Sequence, residues 1–180
     1  MKFQKFLYLF AVVIAFTACK NENSSNPEVI EVASNEGADL DVSERSGVTF
    51  KDNRVTTSFK LYNAVRAALV NTNSEDAAKY ADILYRSEIM QEADENVKEA
   101  IKSIMESTDV EDQRKHFMTV SAAIEKLVEG QVESGIVYKQ YCPMAFGNTG
   151  AYWISDSKEI RNPYFGDKML KCGRVDAKIE

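Results

Sequence analysis

The chain has 180 residues, of which 44% are hydrophobic and 28% charged, proportions that suit one globular domain or one domain plus a tether. The formal net charge is −6, and no stripe of clustered Lys and Arg accompanies it, which argues against a nucleic-acid surface.

Lys2 and Lys5 form a short basic start, and Phe6 to Phe16 follow as an apolar run of about 11 residues. A helix needs about 20 apolar residues to cross a bilayer, so this run is an export signal over residues 1–18 and not a span. It ends in "FTAC" at Cys19 and resembles the bacterial lipoprotein signal, with Phe16 where Leu is usual. The resemblance implies lipidation of Cys19 and an exported chain, lipid-anchored in the cell envelope at the periplasm or outer membrane. The plainer reading is a core cysteine in a simple signal peptide. Removal of Lys2 and Lys5 leaves 20 basic and 28 acidic residues, a net of −8.

Residues 19–48 are polar, acidic and small with scattered valines. They bury too little apolar surface to offset chain entropy and read as a disordered tether. From there the apolar period becomes helical. Val55, Phe59, Tyr62, Val65 and Leu69 form a first stripe; Ala77, Tyr80, Ala81 and Leu84 a second. Val97, Ile101, Ile104 and Met105 form a third, and Phe117, Val120, Ile124, Leu127 and Val128 a fourth. Asn73 or Ser74 opens the second helix as N-cap, and Thr108 or Asp109 opens the fourth. No proline lies between Pro27 and Pro143 to break them. The expected fold is mainly α: an antiparallel four-helix bundle over residues 49–180. An irregular, aromatic-rich C-terminal cap belongs to the same domain, with "GIVYKQY" and "GAYWIS" as the strands of a short β-hairpin.

That cap carries the candidate chemistry. Cys142-Pro143-Met144 and Met169-Leu170-Lys171-Cys172 present two thiols and two thioethers, a soft set that favours Cu(I) over harder ions. Met169 and Cys172 share a face if that segment turns helically. Each has a plain alternative. A Cys142–Cys172 disulfide would close a loop of about 30 residues, worth roughly 3–4 kcal/mol in the chain-entropy account, and the methionines would then simply pack on aromatic rings. On spacing alone the disulfide stands ahead of the ion, with two unpaired thiols a third possibility. His116, the single histidine, borders the fourth stripe; imidazole suits copper, but a boundary histidine also serves as a packing residue. Catalysis has little support. There is no Gly-x-Ser-x-Gly elbow and no glycine-rich phosphate loop, and a Cys142–His116 nucleophile pair has no pattern around it.

"YCPMAFGNTGAYWIS" and "EIRNPYFGDKMLKCG", with "DQRKHF" before them, resemble a bacterial domain of unknown function. That family occurs as small Bacteroidetes-type lipoproteins. It is also appended to periplasmic adaptor subunits of copper and silver efflux systems. "LYNAVRAALVNTNSEDAAKYA" resembles its first two helices, and the likeness spans about residues 50 to 175, strongest over 138–173. The resemblance implies that His116, Cys142, Met144, Met169 and Cys172 occupy the family's marked positions. It moves the balance toward a Cu(I) site for buffering or for delivery to an efflux adaptor. The rival is an envelope interaction or structural module stapled by a Cys142–Cys172 disulfide, without metal. A pair that closes as a disulfide and opens as a dithiol would join the two. Trp153 is placed either over the ion or, as ordinary packing, within the cap.

Overall fold

A computed structural model describes residues 47–180. The export signal, Cys19 and the tether as far as residue 46 lie outside the described residues. The described part is mainly helical and ends in antiparallel strands. None of its helices is long and apolar enough to cross a membrane.

All four apolar stripes lie on the packed faces of helices, with Tyr80, Met105 and Leu127 only partly buried. In α1 (Asn53–Val70) Phe59, Tyr62 and Leu69 are fully buried. In α2 (Ser74–Tyr85) the buried set is Ala77, Ala81 and Leu84. A short α3 (Glu88–Gln91), absent from the sequence expectation, seats Met90 before α4 (Glu95–Glu106) lays down Val97, Ile101 and Ile104. In α5 (Val110–Val128) Phe117, Val120, Ile124 and Val128 are buried. The expected caps form: Asn73 Oδ1 accepts the Asp76 N–H at 3.0 Å, and Asp109 Oδ1 accepts that of Glu111 at 2.9 Å. Helix α1 packs on α2 and α5, and α4 packs on the same two helices.

Polar side chains tie the helices to one another and to the C-terminal segment. Arg114, fully buried, donates to the carbonyls of Pro163 and Leu69, each at 2.8 Å, and to Glu111 at 2.8 Å. Gln113 holds its amide nitrogen within 3.0 Å of the carbonyls of Ser74, Ile104 and Ser107, joining the start of α2 to the end of α4.

Strand β1 (Thr49–Phe50) pairs with β2 (Val132–Ser134), bringing the chain's entrance beside the end of α5. Val48, placed by composition in the tether, is thereby buried. The C-terminal sheet has the order β4-β3-β5, with β3 (Val137–Cys142) central, β4 (Ala151–Ser155) and β5 (Arg174–Ile179). The expected hairpin is thus present as β3 and β4, and β5 adds a third strand. Trp153 is fully buried against the Tyr164 ring, 6.0 Å between centroids, and Tyr164 in turn meets Phe117 of α5 at 6.2 Å. This aromatic chain seats the sheet on the helices.

Candidate metal centre

Cys142 is the last residue of β3, and Tyr141 before it stands opposite Arg174, the first residue of β5. Antiparallel pairing therefore brings the end of one strand beside the approach to the other, where Cys172 lies. The link between them is Gly173, at φ +148°. A Cβ there would come within 2.9 Å of both Trp153 Cη2 and the Tyr141 carbonyl, so only glycine lets Cys172 approach this closely.

The backbone of Cys172 is fixed on both sides. Its N–H donates to the Met169 carbonyl at 3.0 Å, closing a turn directly after the 3-10 segment Gly166–Met169, and its carbonyl accepts Asn162 Nδ2 at 2.7 Å. Asn162 is fully buried and does more than this. Its N–H donates to the Leu170 carbonyl, its own carbonyl accepts Gly166 N–H, and its Oδ1 accepts Tyr164 N–H. One residue thus shapes the whole loop that presents Cys172. The sequence expectation did not include it, although an Asn before a proline in a turn-rich stretch is a usable signal.

The two sulfurs stand 3.2 Å apart as free thiols, and either can donate to the other. A disulfide needs about 2.05 Å. Two thiolates on one tetrahedral ion with bonds of about 2.3 Å stand about 3.8 Å apart. The pair, at 3.2 Å, lies between those separations. Cys142 is fully buried, whereas Cys172 is half-buried. Desolvation first, then the hydrogen bond and charge of Cys142, push the Cys172 thiol up to about 11.

The other expected donors are less closely gathered. Met169 is half-buried and ends the 3-10 turn three residues before Cys172. Met144 is 46% exposed. It opens a turn in which Phe146, Gly147 and Asn148 are successively left-handed, at φ 51°, 68° and 71°. Left-handed geometry is strained for a bulky residue. The Phe146 ring is held edge-on to Tyr164 at 5.3 Å, and Gly150 N–H closes the turn on the Ala145 carbonyl. His116 is half-exposed on α5 with Nε2 4.0 Å from Asp112 Oδ1, and no hydrogen bond joins it to either thiol. Among the described residues, no three His, Cys, Asp or Glu side chains gather as an ion site. Trp153 packs in the core, its Nε1 buried without a hydrogen-bond partner among the described residues.

Residues 59–135 match the family model DUF3347, a protein of unknown function. The DUF3347 match runs from within α1 to the residue after β2, so it contains His116 and Asp112 and stops before both cysteines, Met144 and Met169. It coincides with the helical part that the first two stripes and "DQRKHF" mark. The tail, where the sequence resemblance is strongest, lies beyond it. No curated protein and no solved structure matches the chain.

Proposed function

We propose that the protein is an exported lipoprotein whose Cys142 and Cys172 together hold a soft metal ion, Cu(I) in the first place, to buffer it or hand it to an efflux adaptor. The helical part serves as an antiparallel four-helix bundle that carries the cap. The observation behind this reading is the pair of free thiols 3.2 Å apart, one buried and one reaching solvent. Cu(I) is a soft ion that two thiolates satisfy, and Met169, half-buried and three residues before Cys172, is the thioether assigned here as a third ligand. Met144 and His116 stand further out as donors.

Loading is a proton exchange: both thiols lose their protons as two S–Cu bonds form. A Cys172 thiol near 11 is protonated at neutral pH, so the incoming ion has to displace that proton and loading strengthens as pH rises. Anaerobic competition between a Cu(I)–chelator complex and the full chain carrying Cys19→Ser tests the reading. One ion per chain, lost in Cys142→Ser/Cys172→Ser and weakened in Met169→Leu, is the expected result. Failure to withdraw Cu(I) from a micromolar chelator overturns it.

The 3.2 Å separation also supports a second reading, in which oxidation closes a structural disulfide in an envelope interaction module. Thiol counting on protein purified without reductant separates the two.

A further inference from the structure

Ion and disulfide draw on the same two sulfurs, and the geometry makes them alternatives. Cys172 is held by its backbone at both N–H and carbonyl, so its side chain is the part free to move. Closing the pair from 3.2 Å to about 2.05 Å forms the S–S bond, whereas opening it to about 3.8 Å admits an ion. No arrangement of two sulfurs does both, because a disulfide has no thiolate to give. Access is equally one-sided. Cys142 is fully buried, and of the two only Cys172 reaches solvent, so an oxidant meets Cys172 first.

We infer that the site is redox-gated: a small-molecule disulfide closes it and ejects the ion, and a bound ion protects it from that oxidant. The inference rests on the metal reading above. In the oxidation step the Cys172 thiolate attacks one sulfur of a glutathione-type disulfide, forming a mixed disulfide and releasing one thiol. Cys142 loses its proton, attacks Cys172 Sγ and expels the second thiol. Two protein thiols and one small disulfide become one protein disulfide and two small thiols, with no further electron donor or acceptor. Met169 by itself is too weak a donor to keep a soft ion once both thiolates are lost.

The test uses the full chain carrying Cys19→Ser, reduced or treated with oxidised glutathione and then freed of it. Intact mass reports the loss of two hydrogens, and a Cu(I)–chelator complex reports binding. The expected result is at least a hundredfold weaker binding by the oxidised chain, full recovery after a phosphine reductant, and slower oxidation of the Cu(I)-loaded chain. If the reduced chain binds Cu(I) and the treated chain either binds it as tightly or never loses the hydrogens, the gate is overturned and the metal reading stands. If the reduced chain binds no Cu(I), the metal reading fails and the gate with it, and disulfide formation then counts for the staple.

Discussion

The Tyr62 hydroxyl, in the middle of α1, accepts the backbone N–H of Ile154 on the outer edge of β4 at 3.0 Å and shares a 2.8 Å hydrogen bond with Ser121 of α5. Two helices and a sheet edge therefore meet at one buried oxygen. The edge N–H of β4 would otherwise be buried without a partner, since its other side faces β3. Burial pushes the Tyr62 phenol up to about 12, so the neutral hydroxyl that donates to Ser121 or accepts from it persists through the physiological range. Tyr62→Phe keeps the ring stacked 5.0 Å from Phe117 and removes only the oxygen. We expect a loss of about 1–3 kcal/mol in chemical denaturation, because the Ile154 N–H is left unsatisfied. Loss of much less would mean that water reaches the sheet edge.

Arg114 supplies a second bond between helices and cap, and its geometry is specific to a guanidinium. Its nitrogens reach the Pro163 and Leu69 carbonyls and the Glu111 carboxylate in three directions. Arg114→Lys keeps the charge but cannot serve three separated acceptors, so it should behave nearly as badly as Arg114→Met. Both variants are expected to lower stability by roughly 2–4 kcal/mol, measured by urea unfolding. A Lys variant as stable as the parent would show that charge, not the planar fork, matters there.

The raised thiol of Cys172 gives a pH dependence of definite sign. Its folded value of about 11 exceeds the ordinary value of 9.0, so the protonated thiol is the form the fold favours. That contribution is fully present below about pH 9 and is lost as pH rises through about 11. In the reduced Cys19→Ser chain we expect iodoacetamide to label Cys172 slowly at pH 7–8 and to reach half its limiting rate near pH 11. A half-maximal rate near the ordinary thiol value would place Cys172 in a wetter setting.

How much of the fold and site is legible in the residues alone depends on which forces act locally. The four helical stripes are legible because burial repeats every three or four residues, and the positions in those stripes fill the core: Phe59, Ile101 and Ile124 are each fully buried. The strand Arg174–Ile179 escapes a sequence reading because its side chains are mostly exposed, and it is held by backbone pairing to β3 rather than by an apolar alternation. The left-handed turn at Phe146 escapes it for a related reason: a bulky residue gives no sign of positive φ, and the ring of Tyr164 that holds it is 18 positions away. At the site, sulfur chemistry singles out Cys142 and Cys172, but only the β3–β5 register explains their meeting. His116 is placed by a stripe boundary, which fixes a helix face and says nothing about what stands opposite it. Asn162, Arg114 and Tyr62 carry hydrogen bonds to partners distant in the chain, which periodicity does not reveal.

Gly173 links the fold to the site most directly. Its φ of +148° is a conformation that side-chain-bearing residues rarely adopt, and an added methyl would press on the Trp153 ring and the Tyr141 carbonyl at 2.9 Å. Trp153 is fully buried and cannot withdraw without disturbing Tyr164, so the chain around residue 173 has to move instead. That shift carries Cys172 away from Cys142. Gly173→Ala should cost about 1–3 kcal/mol in stability. It should also slow closure of the Cys142–Cys172 disulfide by at least tenfold under a fixed excess of oxidised glutathione, followed by intact mass. An alanine variant that is destabilised yet closes the pair at the parental rate would separate the two effects, and would mean that Asn162 and the Met169 turn alone hold Cys172 in place.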